Sequence, residues 1–118
     1  MKRVETDLQT YRAQMFSLIR GWATDRNLIK GSDQFRQITK LTEELGELAA
    51  GIARNDLDKI RDGIGDCVVV LTILAAQCDY NIENCIEDAW DEIKDRKGRM
   101  VDGVFIKEQD LPHTSGVK

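Results

Sequence analysis

The 118-residue chain contains one proline, Pro112, and one histidine, His113, both near its C-terminus. Proline interrupts helices because it lacks an amide hydrogen, so no residue before Pro112 has to break a helix for this reason. The lack of histidine in the core excludes serine–histidine and cysteine–histidine catalytic couples. It also argues against most zinc sites and against di-iron sites built from Glu-x-x-His pairs.

Other features that the sequence lacks restrict the cellular compartment and the binding partners that we expect for the protein. Cys67, Cys78 and Cys85 show no C-x-x-C spacing and lie in apolar segments, which predicts reduced, buried thiols. The longest apolar run, CVVVLTILAA, is shorter than the roughly 20 residues of a membrane span, and the N-terminus has no apolar signal core. A net charge of −4 argues against nucleic-acid binding. We expect a cytoplasmic protein, of a bacterium or of the host cell if phage-encoded, with no nucleic-acid or membrane partner.

Apolar residues recur at three- and four-residue steps, which predicts amphipathic helices. The segment CVVVLTIL is also rich in β-branched residues typical of a buried strand, but it is long and has no comparable strand to pair with. We therefore predict an all-α fold with four helices over residues 6–26, 33–54, 57–77 and from an Asn81 N-cap to about Gly98.

The remaining segments are loops and a C-terminal arm. LIKGSD is typical of a loop, with Gly31 as the breaker and Ser32 or Asp33 as the next N-cap. MVDGVFIKE indicates a small hairpin or an extended arm, and QDLPHTSGVK is expected to be mobile. The predicted organisation is one domain over residues 1–108 and a tail over residues 109–118.

Acidic residues follow one edge of the second predicted helix. Gln37, Lys40, Glu44 and Glu47 fall within about 80° of one another at the margin of the apolar stripe, and Glu43 lies a little further round. A solvated face in which Lys40 is the partner explains this pattern without any function, since glutamate is a good helix former and is usually exposed.

The third predicted helix adds Asp62 and Asp66, which share a face at a spacing of four. Asp66 is followed directly by CVVV, and a carboxylate among such residues needs a partner to offset its desolvation. That partner is Lys59, Arg61 or a divalent cation shared with the second helix. Oxygen-only ligands suit Mg²⁺, with Mn²⁺ as a substitute.

A basic segment, IKDRKGR, follows at the end of the fourth predicted helix. Its Lys94, Arg96, Lys97 and Arg99 could neutralise phosphate, which fits the phosphate chemistry that Mg²⁺ most often serves. Cations are equally common at a helix C-terminus, where they interact favourably with the helix dipole. No GxxxxGK[ST] loop occurs, so a P-loop enzyme is excluded.

The chain resembles the MazG-like family of all-α nucleoside triphosphate pyrophosphohydrolases, especially its short single-domain phage and bacterial forms. The resemblance extends from RGWATDRNLI through KLTEELGEL and DGIGDCVVVLTILA to DEIKDRKGRMVDGVFIKE. The family pattern is EExxE followed on the next helix by ExxD, whose final aspartate matches Asp66. Gly63 stands at the position of the second motif's glutamate, and we suggest that Asp62 takes over its carboxylate. Asp91 stands where the family often has asparagine.

The resemblance implies an oligomeric four-helix bundle, a homodimer or homotetramer. It also implies Mg²⁺-dependent hydrolysis of a (d)NTP between the α and β phosphates, giving a (d)NMP and pyrophosphate, with dGTP, dCTP and dUTP as candidates. The implied roles are catalysis by Glu43, Glu44, Glu47 and Asp66; metal binding by Glu44, Glu47, Asp62 and Asp66; phosphate binding by Lys40, Lys94, Arg96 and Lys97; and base binding by Phe16, Trp22 and Gln37.

Two other functions remain open at this point. One is a non-catalytic helical dimerisation module in which the acids bind a structural ion. The other is a metal-dependent phosphohydrolase that removes phosphates singly and releases orthophosphate. For Phe16 and Trp22, packing in the core is favoured over base binding, since aromatic residues commonly fill cores.

Overall fold

The computed structural model describes the backbone of residues 2–112 and the side chains of residues 7–112. This part of the chain is mostly helical, as predicted, and ends in a small antiparallel hairpin and one 3-10 turn. Its elements are α1 (Lys2–Ala13), α2 (Met15–Asp25), α3 (Gln34–Ala53), α4 (Leu57–Gln77), α5 (Ile82–Ile93), β1 (Gly98–Val101), β2 (Val104–Lys107) and the turn Glu108–Asp110.

The chain divides into two compact units after Cys85. The first unit contains α1 to α4 and the first turn of α5. The second contains the rest of α5 and the hairpin. Each unit is described by itself below.

In the first unit, α4 packs against both α3 and α2. It contributes most of the buried residues, among them Cys67, Val70, Thr72 and Ile73. The helical interpretation of CVVVLTIL is therefore confirmed, and burial on several sides explains its continuous apolar character.

Side-chain caps mark the starts of α3 and α4. The Asp33 carboxylate accepts a hydrogen bond from the Arg36 amide at 2.8 Å, and the Asp56 carboxylate accepts one from the Lys59 amide at 3.2 Å. Such caps satisfy amide hydrogens that have no partner inside the helix. The predicted bounds of both helices are confirmed to within a residue.

The single helix predicted over residues 6–26 is wrong, because the chain forms α1 and α2 with a break at Gln14. The Gln14 amide donates to the Tyr11 carbonyl, three residues back, and the Leu18 amide donates to the Gln14 carbonyl to begin the next helix. This tightened turn involves neither glycine nor proline, so the sequence contains no helix-breaking residue there that would have predicted it. The described residues thus contain five α-helices instead of four.

In the second unit, α5 ends at Ile93, earlier than the predicted end near Gly98. The hairpin, one of two predicted alternatives for this segment, is confirmed, with Val101 paired to Val104 across the turn. Asp102 and Gly103 form that turn with φ of 51° and 81°. An Asp-Gly pair suits it because both positions need left-handed backbone.

The three cysteines are free thiols in different environments. Cys67 is buried and Cys78 is half-buried, but Cys85 is exposed, so the prediction of three buried thiols is wrong for Cys85. Among the described residues, no single helix is long and apolar enough to cross a membrane. Residues 113–118 of the predicted tail, including His113, lie outside the described residues.

Candidate active site

Two buried glycines let α3 and α4 approach closely. A Cβ atom on Gly63 would lie 3.1 Å from the Cβ of Leu48, and one on Gly51 would lie 3.1 Å from the Cβ of Lys59. Real Cβ atoms rarely make contacts this short, so only glycine fits without a shift of the neighbour. The approach brings together the acidic edges of the two helices, which we call the acid cluster: Glu44 and Glu47 on α3, and Asp62 and Asp66 on α4.

Glu44 is the buried member of the acid cluster, with 7% of its surface exposed. Its Oε1 atom lies 3.2 Å from the Lys40 Nζ atom, one helical turn earlier. Its Oε2 atom is buried and has no hydrogen-bond partner. Burial of a charged carboxylate is costly unless both oxygens are engaged, so Oε2 is an open ligand position.

Asp66 lies within hydrogen-bonding reach of Glu44. Desolvation raises the pKa of Asp66, and the negative charges of Glu44 and Asp62 raise it further, while Lys40 acts in the opposite sense. Like charges close together disfavour the ionisation of both carboxyl groups. The negative charge of the acid cluster is therefore not fully balanced by neighbouring cations.

A cavity of about 110 Å³ lies at the junction of α3 and α4. Glu47 lines it from α3, and Asp62 and Asp66 line it from α4, together with Gly63 and Lys59. Asp62 thus faces the same space as Asp66, as suggested for a residue that replaces the missing glutamate. Gly63 itself forms part of the cavity wall.

The acid cluster fits a divalent cation by the chemistry of its donors. They are carboxylate oxygens, which Mg²⁺ and Mn²⁺ prefer, and one of them is a buried atom without a partner. In the described part of the chain, no three His, Cys, Asp or Glu side chains already stand together as a complete metal site.

Glu43, the fifth predicted acid, lies outside the acid cluster: it is exposed and is on a second face of α3. It lines a groove of about 500 Å³ that runs along the helix from Asp33. Lys40 lies in the same groove, so this lysine borders both Glu43 and the buried Glu44. The groove is open to solvent and is lined by Asp33, Phe35, Arg36, Thr39, Lys40 and Glu43.

The predicted phosphate-binding residues are distributed over both units. Lys40 lies in the first unit beside the acid cluster. In the second unit, the Lys94 Nζ atom is 3.3 Å from Asp91, and the Arg96 guanidinium is 3.1 Å from Glu92. These two cations therefore have local acidic partners, as expected of cations near a helix C-terminus. Arg96 and Lys97 also line a groove of about 650 Å³ beside the hairpin.

The predicted base-binding residues have partners of their own in the first unit. Gln37 is half-buried and donates a hydrogen bond to the Ser32 hydroxyl at 3.1 Å. Trp22 is 45% exposed, and the Arg26 guanidinium lies 4.5 Å from its ring centroid, a cation–π contact. Phe16 is half-buried. The core packing favoured for Trp22 is wrong, since almost half of its surface is open to solvent.

Sequence reasoning did not anticipate an apolar wall beside the two aspartates of the acid cluster. A cavity of about 760 Å³ between α2 and α4 has Asp62 and Asp66 on one side and Met15 and Ile19 on the other. Met15 and Ile19 belong to the apolar stripe of α2, which predicted core packing. Only the packing of α2 on α4 reveals that they face carboxylates.

Comparison with known proteins identifies a family to which this chain is similar. Residues 34–103 match the family model of the MazG nucleotide pyrophosphohydrolase domain. This match contains all of α3, α4 and α5 and therefore every member of the acid cluster.

A relative is found in Haemophilus phage HP1, where it is described as an uncharacterized 18.2 kDa protein in the rep–hol intergenic region. The two sequences are 52% identical over 64 residues, which is 54% of this chain and 39% of the relative. The chain thus spans less than half of that relative's length. No solved structure matches. Because the family model covers more than half of the chain and the whole acid cluster, this protein belongs to the MazG nucleotide pyrophosphohydrolase family.

Proposed function

We propose that this chain hydrolyses a nucleoside triphosphate between the α and β phosphates, with Mg²⁺ as cofactor, to give a monophosphate and pyrophosphate. Membership of the MazG family supports the reaction class. The observation that carries the proposal is the carboxylate of Glu44, which is buried beside Asp66 with its Oε2 atom unpartnered. A surface helix with only a structural role has no need to bury such a group.

The metal would be held by Glu44, Glu47, Asp62 and Asp66, with Mn²⁺ as a substitute. Glu44 is buried, while the other three are exposed and free to adjust toward an ion. A bound divalent ion supplies Lewis-acid polarisation of the phosphate oxygens and lowers the pKa of a water molecule. Glu43 would orient the attacking water or accept its proton, since it is exposed, is next to Glu44 in the chain and is not one of the four proposed metal ligands.

Lys40 is the phosphate-binding candidate in the first unit, because it borders the acid cluster and is half-exposed. For Lys94, Arg96 and Lys97 the role in phosphate binding remains a prediction. Gln37, Trp22 and Phe16 are the base-binding candidates, and almost half of the Trp22 surface is exposed. The candidate substrates dGTP, dCTP and dUTP all present the same triphosphate to the acid cluster.

The first test is product analysis. The protein is incubated with each of the eight common NTPs and dNTPs in Mg²⁺, and the products are separated by ion-exchange chromatography. We expect a monophosphate and pyrophosphate from one or a few substrates, with loss of turnover in EDTA. The Asp66→Asn variant should lose at least about 100-fold in rate, since changes even outside the direct metal ligands commonly cost 10- to 100-fold.

Asp79→Asn is the matched control, because Asp79 is an exposed aspartate just beyond α4 with a φ of 63°, which asparagine tolerates. It should keep the wild-type rate. Orthophosphate as the product would favour a phosphohydrolase that removes phosphates singly. No turnover, together with loss of folding in EDTA, would favour a structural metal site.

A further inference from the structure

Lys40 is the cation that contacts the acid cluster. Its Nζ atom lies 3.2 Å from Glu44 Oε1, and within the described residues no other lysine or arginine forms an ion pair with a member of the cluster. Lys59 lines the neighbouring cavity but makes no such pair there. Lys40 therefore compensates the buried carboxylate in the metal-free protein.

The two oxygens of Glu44 are unequally satisfied. Oε1 is paired with Lys40, whereas Oε2 is buried without a hydrogen-bond partner. The Lys40 side chain is 55% exposed, while Glu44 is almost covered. Glu44 is thus fixed in the protein. Lys40, whose charge is also attracted by Glu43 and Glu47, is half-exposed and can move into solvent.

We propose that Lys40 is a resident counter-ion of Glu44 that a divalent cation displaces. In the metal-free protein it neutralises Glu44, and metal entry at Oε2 releases its ammonium group from Oε1 toward the phosphates of the substrate. This inference rests on the metal dependence of the proposed function. It assigns Lys40 a positioning role before it contacts any phosphate.

The release follows from electrostatics. A divalent ion on Oε2 places two positive charges close to the Lys40 ammonium, and like charges at short range repel each other. Lysine has a flexible four-carbon stem and a compact charge, so the group can swing away without disturbing α3. Lys40 and the metal therefore compete for the charge of one carboxylate.

The test is Mn²⁺ binding in the absence of nucleotide, measured by the loss of the free-ion EPR signal. In Lys40→Gln the competing charge is gone, and we expect binding about tenfold tighter than in the wild type. Lys40→Arg keeps the charge and should bind Mn²⁺ about as the wild type does. Lys59→Gln removes a charge from the cavity that Glu47, Asp62 and Asp66 line, but it breaks no ion pair, and its effect should be clearly smaller.

A second readout is thermal unfolding. Without metal, in EDTA, Lys40→Gln should unfold at a lower temperature than the wild type, because Glu44 is left buried with no counter-ion. In saturating Mn²⁺ this difference should shrink or vanish, since the ion takes over the role of the lysine. A lysine that serves only to bind phosphate would produce neither effect.

The proposal is overturned if Lys40→Gln binds Mn²⁺ no tighter than the wild type, or no tighter than Lys59→Gln. It is also overturned if the wild type binds no Mn²⁺. Failure of the proposed function looks different. A wild type that binds Mn²⁺ and shows the Lys40 effects, but cleaves no nucleotide, would refute the activity and leave the role of Lys40 standing.

Discussion

At the scale of single residues, Glu44 shows how burial turns an ordinary acid into a candidate ligand. Its neighbours Glu43 and Glu47 have the same chemistry but are exposed to water. Water can solvate an exposed carboxylate, whereas the buried Oε2 of Glu44 has only protein or a bound ion to satisfy it. Position in the fold, and not residue type, separates the two groups.

Asp66 should lower the stability of the metal-free protein at neutral pH. Its folded-state pKa is raised above the unfolded value, so its contribution is fully favourable below the unfolded pKa and is lost as the pH rises through the folded pKa. Asp66→Asn removes that cost, and we expect a gain of a few tenths of a kcal/mol in EDTA at pH 7, small because solvent screens this exposed group. Urea unfolding measures the gain, and a clear loss of stability would contradict this account.

The ion pair between Arg20 and Glu83 should have the opposite pH dependence. The hydrogen bonds from Arg20, including one of 2.8 Å to Oε2, lower the pKa of Glu83. A lowered pKa contributes stability above the unfolded pKa of about 4.3, and this contribution is lost as the pH falls through the folded pKa.

Glu83→Gln should therefore cost about 0.5 kcal/mol at pH 7, after allowance for solvent screening of a pair whose carboxylate is 47% exposed. The cost should disappear at acidic pH, where Glu83 is protonated in both states. Thermal unfolding from pH 3 to pH 7 measures it. Glu87→Gln, on the same helix but without an ion pair among the described residues, is the control and should cost less than Glu83→Gln at pH 7.

At the scale of secondary-structure elements, the glycines of α4 offer a matched comparison. A Cβ on Gly65 meets nothing within 4 Å, whereas one on Gly63 meets Leu48 at 3.1 Å. Gly65→Ala should raise the free energy of unfolding by about 0.5 to 1 kcal/mol, because alanine is the better helix former. Gly63→Ala gains the same propensity but must push Leu48 aside, and should be at least about 1 kcal/mol less favourable than Gly65→Ala. If chemical denaturation gives the same change in the free energy of unfolding for both variants, the Leu48 side chain on α3 moves aside without cost.

Helices with strong periodicity and side-chain caps were predictable from the sequence. α3 and α4 begin after Asp33 and Asp56, and their apolar stripes continue without interruption. The break at Gln14 was not predictable, because Gln14 is compatible with a helix and only hydrogen bonding marks the turn. The hairpin was predictable as one of two alternatives through its Asp-Gly turn.

The candidate site was predictable in part. The spacing of the acids identified the faces of α3 and α4, but Glu44 fell at the margin of the apolar stripe. A residue at a margin is buried or exposed according to how closely the next helix packs, and here Gly51 and Gly63 decide that distance. Such a contact joins residues far apart in sequence, so periodicity along one helix cannot reveal it.

At the scale of the whole molecule, many large apolar side chains are exposed. Phe35 is 83% exposed, Leu57 72% and Ile52 61%. Exposed apolar surface of this kind commonly marks a protein interface. Assembly into a homodimer or homotetramer, as predicted, would bury this exposed apolar surface.

We therefore expect sedimentation velocity to give two or four times the chain mass. The double variant Ile52→Ser, Leu57→Ser should shift this equilibrium toward the monomer while the helical circular dichroism signal is retained, because both side chains face solvent in the isolated chain. A wild type that sediments as a monomer at every concentration would rule out self-association as the cover for these residues.

The close contact between Leu48 and Gly63 couples the substitutions that these two positions can accept. Glutamate at position 63 would complete the family's second acidic motif, but its Cβ would be forced against the Leu48 side chain. The substitution therefore requires the Leu48 side chain to give way by a few tenths of an ångström. Each residue influences which replacements the other accepts, so restoring the full motif on α4 also involves Leu48 on α3.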